Sequence, residues 1–223
     1  MVFVVIAAAA AALAVLTAYI CFRMAFYVPD SSRPDPEEIQ VPDGSIYVPY
    51  HDDMYRWARE MRAMPQRHVY ITSHDGLRLH ARFFEYAPGA SVEIMFHGYR
   101  GSAERDLSGG IERCFRVGRS ALIVDQRCAG NSGGHVITFG VHERRDCLSW
   151  IDFAIDHFGP DVKIILTGIS MGATTVLLAA AVLVGLHYLQ GRSASPLAIT
   201  TKKVWGRRLG SGVLAVQILF AAV

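Results

Sequence analysis

One pentapeptide of the chain has the residue types and the spacing that nucleophilic catalysis uses. Gly168-Ile169-Ser170-Met171-Gly172 matches the pattern G-x-S-x-G, in which two glycines flank a serine. It follows a short apolar run at residues 163–166 and precedes a very apolar, helix-like stretch at residues 172–184. A serine at such a strand-to-helix turn lies at a helix N-terminus, which favours developing negative charge. The pattern predicts that Ser170 attacks a carbonyl carbon, with an ordinary Gly-Ser turn as the alternative.

A second loop has the composition of an oxyanion-binding loop. Residues 97–101 (HGYRG) follow the apolar run VEIMF at residues 92–96. A backbone N–H in a glycine-bearing loop of this kind can bind the oxyanion of an acyl-transfer intermediate. We therefore predict the N–H groups of Tyr99 and Met171 as the two donors. For His97 a packing or hydrogen-bonding role beneath the loop is favoured over a role as general base.

A third glycine-rich loop, DQRCAGNSGG at residues 125–134, follows the apolar run ALIV at residues 121–124. Asp125 and Arg127 are expected to form structural ion pairs and hydrogen bonds around this loop. A phosphate cradle is disfavoured, because the loop has neither the lysine of GxxxxGK[ST] nor the spacing of GxGxxG.

The elements that must position these loops alternate between strand and helix. Alternating runs on either side of Asp75-Gly76 predict an antiparallel hairpin, and later continuous apolar runs predict buried parallel strands. The predicted helices cover residues 54–62, 102–117, 142–158 and 172–184, and the predicted strands cover residues 68–73, 77–86, 92–96, 121–124 and 163–166. This order predicts an α/β fold in which helices cover both faces of a mostly parallel sheet.

Composition excludes several classes of protein. Among 223 residues, 52% are hydrophobic and 19% are charged, which argues against disorder and against a coiled coil. A net charge of +2 is too small to indicate a basic nucleic-acid-binding protein, so no nucleic-acid partner is expected. The four cysteines lie far apart, without metal-ligand spacing, so neither a metal site nor a disulfide framework is predicted. They are Cys21, Cys114, Cys128 and Cys147.

The N-terminal region predicts a membrane anchor. Residues 2–22 are uncharged and would span about 30 Å as a helix, which is the thickness of a bilayer core. A cleaved signal peptide and a buried soluble helix are the alternatives. We therefore expect a single-pass membrane protein whose residues 2–22 contact the lipid bilayer. Residues 23–50 are rich in proline and acidic residues and are predicted to be a linker.

These loops and their order resemble the α/β-hydrolase superfamily, most closely bacterial membrane-anchored hydrolases of the serine aminopeptidase-like and prolyl-oligopeptidase-like group. The resemblance covers about residues 50–180 and rests on HGYRG, DQRCAGNSGG and GISMG. It implies a serine hydrolase that uses no metal or organic cofactor and acts on a small ester, amide or peptide substrate. It also implies Ser170 as nucleophile, with Tyr99 and Met171 as backbone oxyanion donors.

The region after Ser170 departs from the superfamily pattern, in which an acid and then a histidine follow the nucleophile. The chain has no Asp or Glu after Asp161, and its only later histidine, His187, lies about 25 Å farther along the predicted helix. Asp125 and His142 are disfavoured as substitutes. The basic, acid-free tail at residues 181–223 suggests that the chain is truncated or frame-shifted near residue 180, with a divergent tail as the competing interpretation.

The sequence therefore leaves three functional hypotheses. The first is a membrane-anchored serine hydrolase that works through an acyl-enzyme, with impaired activity because the triad acid and base are missing. The second is a non-catalytic fragment or membrane-bound binding module with the same partial α/β-hydrolase fold at residues 51–180. The third is a small two-span membrane protein that uses residues 176–190 as its second span.

Overall fold

Five α-helices and six strands make up the computed structural model, which describes residues 1–33, 35, 37–189 and 215–219. Only the backbone is described for residues 186–189 and 215–219. The helices are α1 (Val2–Ala25), α2 (His51–Ala63), α3 (Ala103–Arg116), α4 (Glu143–Phe158) and α5 (Met171–Leu189). The strands are β1 (Arg67–Thr72), β2 (Arg78–Phe84), β3 (Ser91–Phe96), β4 (Arg119–Asp125), β5 (Ile164–Ile169) and β6 (Ala215–Leu219).

The strands form one sheet in the order β1-β2-β4-β3-β5-β6. Strand β2 pairs antiparallel with both β1 and β4, which confirms the hairpin predicted around Asp75-Gly76. Strands β4, β3, β5 and β6 run parallel, which confirms the mostly parallel sheet. The chain passes from β3 outward to β4 and then returns across β3 to β5. Ligands of open α/β sheets bind at such a reversal, beyond the carboxyl ends of the strands.

Helices cover both faces of the sheet, as the continuous apolar strands predict. One face is packed by α4 and α5, and its core includes Trp150, Ile151 and Leu183. The other face is packed by α2 and α3, and its core includes Met61 and Ile111. The carboxyl ends of the parallel strands are thereby fixed at one edge of the sheet.

Helix α1 has no buried residues and is long and apolar enough to cross a membrane. It continues three residues beyond the predicted boundary at residue 22. Residue Tyr27 then forms an antiparallel bridge with Val136, so the start of the predicted linker is attached to the domain.

Helix α5 is a core helix over its described side chains. Its residues Val176, Ala179 and Leu183 are fully buried against the sheet. The two-span hypothesis is therefore wrong for residues 176–185, because their apolar face already packs on protein. Most of the predicted tail lies outside the described residues.

Candidate active site

Ser170 lies at a strained turn between β5 and α5. Strand β5 ends at Ile169, α5 begins at Met171, and the serine between them has a φ of +53°. A left-handed backbone costs a non-glycine residue about 1–2 kcal/mol, so the surrounding packing must enforce it. The serine is exposed at the edge of the sheet. This is the geometry of a nucleophile elbow.

The flanking glycines are required by close backbone contacts. A Cβ atom at Gly168 would lie 2.2 Å from the carbonyl oxygen of Gly172. A Cβ atom at Gly172 would lie 2.1 Å from the carbonyl oxygen of Phe96 at the end of β3. Any side chain at either position would therefore push α5 away from the sheet. The G-x-S-x-G spacing is thus a packing requirement that holds the serine at the turn.

The 97–101 loop lies directly beside Ser170. A Cβ atom at Gly98 would be 3.6 Å from the Cβ of Ser170, so the loop and the elbow are in contact. The N–H of Gly98 donates to Oδ2 of Asp106 over 2.9 Å, which anchors the loop to α3. Arg100 has a φ of +50°, so this loop is strained as well.

The two predicted oxyanion donors are the backbone N–H groups of Tyr99 and Met171. Within the described residues, neither the N–H of Tyr99 nor that of Met171 donates a hydrogen bond. Met171 is the first residue of α5, and the first N–H groups of a helix have no partner within the helix. An oxyanion formed at Ser170 could therefore accept from a helix N-terminus, where negative charge is favoured.

His97 supports the loop from beneath, as expected. Its Nε2 accepts from the N–H of Gln126 over 3.0 Å, so its Nδ1 carries the proton and donates to the carbonyl of Gly98 over 2.8 Å. Complete burial lowers the pKa of His97, which keeps the ring neutral. Both ring nitrogens are occupied, so this histidine has no free nitrogen for the hydroxyl of Ser170.

Asp125 belongs to a separate histidine network. Its Oδ2 is 2.7 Å from Nδ1 of His80, and Nε2 of His80 is 2.8 Å from Nδ1 of His68. Burial would raise the pKa of Asp125, but the bond and charge of His80, the N–H of Asn131 and the charge of Arg82 together outweigh it and lower the pKa. Strand β2, which holds His80, is three strand spacings or about 14 Å from β5. The pair therefore does not serve Ser170. No local pattern in the sequence predicts it, because it depends on the order of the strands.

Arg127 forms the ion pairs expected in the third loop. Its Nε and Nη2 donate to the carboxylate of Asp146 at 2.7 and 2.8 Å. Its Nη1 donates to Oδ2 of Asp75 over 3.1 Å. Burial by itself would lower the pKa of Arg127. The carboxylates of Asp146 and Asp75 have the larger combined effect, so the pKa is raised. The guanidinium thus links the β1–β2 turn to α4.

His142 joins a group with metal-ligand chemistry, which the sequence did not predict. Its Nδ1 lies 3.2 Å from Nε2 of His74, and with Asp75 the ligand atoms lie within 4.8 Å of one another. Both carboxylate oxygens of Asp75 already accept hydrogen bonds from Arg127, and one also accepts from Ser73. A cation would have to compete with that guanidinium, so the group is explained as a hydrogen-bonded network.

A cavity of about 130 Å³ adjoins the elbow. It lies between the segment that follows α1 and the 97–101 loop, and Met171, Ile137 and Val28 give it an apolar side. Arg33 and Arg100 contribute its polar side. The cavity could hold a small group next to the oxyanion donors.

The acid and base expected after Ser170 are not found in the described part of the chain. No described side chain hydrogen-bonds to the Oγ of Ser170. His187 lies on α5, and its side chain is outside the description, as are residues 190–214 and 220–223.

No protein-family model matches the chain, whereas several solved structures resemble part of it. The chain is similar to an esterase of Pyrococcus furiosus, with 27% identity over 53% of this chain and 45% of that one, and a TM-score of 0.48. The α/β hydrolase GrgF of a Penicillium species is 25% identical over 53% and 42% of the two chains, with a TM-score of 0.47. An α/β hydrolase of Vibrio vulnificus is 19% identical over 69% and 50%, with a TM-score of 0.47.

The chain spans about half the length of the solved structures that it matches. The assignment of its fold rests on its own strand order and on the turn at Ser170. An antiparallel β2, the order β1-β2-β4-β3-β5-β6 and a strained serine directly after β5 form one consistent pattern. By this strand order and this elbow, the described part of the chain has a partial α/β-hydrolase fold.

Proposed function

We propose that this chain is a membrane-anchored serine hydrolase that acts on an ester or amide bond through an acyl-enzyme. The Oγ of Ser170 attacks the carbonyl carbon, and the N–H groups of Tyr99 and Met171 bind the oxyanion. Water then hydrolyses the acyl-serine. The observation that carries the proposal is the exposed, strained Ser170 beside two N–H groups that have no acceptor in the described structure.

Turnover by this chain is proposed to be impaired. The hydroxyl proton of Ser170 must pass to a base, and His97 already uses both ring nitrogens. Removal of triad members from other hydrolases lowers the rate by several orders of magnitude. We therefore expect slow acylation by the elbow and the oxyanion donors alone.

The anchor is proposed to be α1, whose 24 residues would extend about 36 Å. In this proposal residues 1–22 form the anchor, 23–50 the linker, 51–180 the N-terminal part of the hydrolase domain, and 181–223 an atypical tail. The absence of buried residues in α1 supports a lipid environment, because exposure of a long and largely apolar helix to water would be unfavourable.

The second candidate function is a non-catalytic fragment or membrane-bound binding module. The observation that favours it is the unpartnered Oγ of Ser170 within the described residues. Such a module would retain the elbow for packing, since Gly168 and Gly172 fix α5 against the sheet whether or not the serine reacts.

Covalent labelling separates the two candidates. The full chain in detergent micelles is incubated with a fluorophosphonate probe, and the modified residue is identified by mass spectrometry. A hydrolase is expected to be labelled at Ser170, and Ser170→Ala should abolish labelling. Ser149→Ala is the matched control, because this serine lies on the outer part of α4 and its hydroxyl bonds only within that helix. Absence of labelling in folded protein would defeat the hydrolase proposal.

A further inference from the structure

The C-terminal end of α1 is bonded to the 97–101 loop. The hydroxyl of Tyr99 donates to the carbonyl of Ala25 over 2.7 Å. Nη2 of Arg100 donates to the carbonyls of Met24 and Tyr27 at 2.8 and 3.1 Å. The last carbonyls of a helix lack partners within the helix, so these side chains complete its C-terminus. The anchor is therefore held by the same loop that supplies a proposed oxyanion donor.

A second attachment fixes the direction of the chain after α1. The N–H of Ile137 donates to the carbonyl of Phe26, and the N–H of Val28 donates to the carbonyl of His135, both over 2.8 Å. These bonds form a short antiparallel pair around the bridge between Tyr27 and Val136. Two attachments on different loops restrict both the position and the tilt of the helix end.

A continuous row of aromatic rings joins α1 to the site. Phe22 stacks on Phe26 with their ring centroids 5.9 Å apart, and Phe26 contacts Phe139 edge-on with a centroid distance of 5.6 Å. Phe139 in turn stacks on Tyr99 with a centroid distance of 5.0 Å. We call these four residues the aromatic row. Phe26 is 37% exposed and Phe139 is 41% exposed, so the row has a free apolar face. Tyrosine is enriched at membrane–water interfaces, and exposed phenylalanine side chains bind the apolar part of the interface.

Phe139 has a φ of +49°, which is unusual for a bulky side chain. The next residue, Gly140, packs against α5, because a Cβ there would lie 2.7 Å from a methyl of Leu178. The strained phenylalanine therefore lies between α1 and α5, the helix that follows Ser170. Strain of this kind persists where the surrounding structure enforces it and is concentrated at functional sites.

The elbow lies at this same end of the molecule. Ser170 contacts Gly98. Tyr99, which follows Gly98 in the chain, donates a hydrogen bond from its hydroxyl to the carbonyl of Ala25. When α1 spans a bilayer, its C-terminal end lies at the interface, because its length matches the hydrocarbon core. The mouth of the site then faces the lipid headgroups.

We propose that the substrate is a membrane amphiphile, an acyl ester or amide whose hydrocarbon chain stays in the bilayer while its carbonyl reaches Ser170. This inference rests on the proposed function and deepens it. The Oγ–acyl bond forms, the bond from the acyl carbon to the leaving alcohol or amine breaks, and the serine proton ends on that leaving group. Water then releases the carboxylic acid and restores the hydroxyl.

The test compares two fluorophosphonate probes on the full chain in phosphatidylcholine vesicles. One probe has a short, water-soluble chain, and the other has a long alkyl chain that partitions into the bilayer. We expect Ser170 to react about tenfold faster or more with the long-chain probe, because each buried CH₂ group favours partitioning by about 0.8 kcal/mol. Equal rates, or faster reaction with the short-chain probe, would overturn the inference and leave a soluble ester or peptide as the substrate.

Matched variants locate the effect. Phe139→Asp removes the apolar ring at a left-handed position that aspartate tolerates, and should lower the long-chain to short-chain rate ratio about tenfold. Val117→Asp is the control, because Val117 is 55% exposed and precedes β4, at the opposite edge of the sheet. It should leave the ratio unchanged, and a ratio that falls equally in both variants would contradict a role of the aromatic row.

A depth measurement gives a readout that does not require catalysis. In a Cys21→Ser background, a fluorophore is attached at Phe139→Cys or at Val117→Cys, and the vesicles contain lipids that carry a quencher at the headgroup. The remaining cysteines are buried, and burial raises the pKa of Cys128 to about 11 and that of Cys114 to about 12, so they should not react. We expect stronger quenching at 139 than at 117.

The two failures are distinguishable. No labelling of Ser170 by either probe defeats the proposed function, and the inference falls with it. Labelling by the short-chain probe alone, with equal quenching at 139 and 117, keeps the hydrolase and rejects the membrane substrate.

Discussion

Ser170 combines exposure with an enforced backbone conformation. Its φ of +53° is held by the approach of Gly168 and Gly172, which leaves no space for a Cβ on either side. The hydroxyl is therefore positioned by packing that would persist without any catalytic partner. Because this packing does not depend on a catalytic acid or base, the elbow can persist even though neither partner of Ser170 is found among the described residues.

Alanine substitutions on α5 test this packing. Gly172→Ala should lower the free energy of unfolding by about 3 kcal/mol, because its Cβ would collide with the backbone of Phe96 at the end of β3. Gly185→Ala on the same helix is the matched control. Its Cβ would meet nothing within 4 Å, so it should stabilise the chain by about 0.5–1 kcal/mol.

The measurement is urea unfolding in one detergent, followed by far-ultraviolet circular dichroism. Similar stabilities for Gly172→Ala and the unsubstituted chain would mean that α5 does not approach the sheet as closely as described.

At the scale of elements, a buried carboxylate ties three strands to α3. Glu93 on β3 accepts hydrogen bonds from Arg113 on α3, from Arg119 at the start of β4 and from Thr167 on β5. Burial would raise the pKa of Glu93, but the hydroxyl and the two guanidinium groups lower it below its ordinary value of 4.5. The central strands are thereby connected by the ion pairs and hydrogen bonds of Glu93 as well as by the backbone hydrogen bonds of the sheet.

This lowered pKa makes stability depend on pH. A carboxyl whose pKa is lower in the folded state contributes stability that is present above its unfolded pKa and is lost as the pH falls. The free energy of unfolding should therefore decrease on acidification below about pH 4.5. Glu93→Gln should cost about 3 kcal/mol at pH 7, because it removes the buried negative charge that faces the guanidinium groups of Arg113 and Arg119.

Unfolding curves collected between pH 3 and pH 7 measure both effects. The difference between the unsubstituted chain and Glu93→Gln should shrink as the pH falls, since protonated Glu93 is also uncharged. A constant difference over the whole range would show that Glu93 is not ionised in the folded state. Glu112→Gln on the outer part of α3 serves as the control and should change little, because its pair with Arg116 is exposed.

At the scale of the whole molecule, α1 is bonded to the same loops that surround Ser170. Helix α1 ends on the 97–101 loop and on residues 135–137, both at the edge of the sheet that carries Ser170. The segment that follows α1 therefore does not separate α1 from the site. In the proposed membrane-anchored protein, this attachment would fix the orientation of the domain toward the bilayer.

Charge in the centre of α1 should weaken its association with membranes. Leu13→Arg replaces an exposed apolar side chain with a charge, which costs about 3–4 kcal/mol of insertion free energy at a helix centre. The fraction of the chain that resists alkaline carbonate extraction should fall, whereas Leu13→Ile should leave it unchanged. Detection of a mature protein that lacks α1 would instead indicate a cleaved signal peptide.

Local patterns in the sequence were sufficient for the elements and for the elbow. The strand–helix alternation, the hairpin around Asp75-Gly76, the glycines around Ser170 and the length of α1 depend on neighbouring residues, whose periodicity and steric demands are readable directly. The predicted nucleophile and oxyanion donors stay predictions that labelling can test.

Only the tertiary structure decided which distant residues meet. The return of the chain across β3 separates Asp125 from Ser170 and pairs it with His80, 45 residues earlier. The same packing brings Tyr99 to Ala25, 74 residues away. Such contacts follow from strand order and from the docking of helix ends, which no local periodicity encodes. The sequence therefore determined the strained turn at Ser170, whereas the surroundings of that turn depended on the assembled sheet and on the docking of α1.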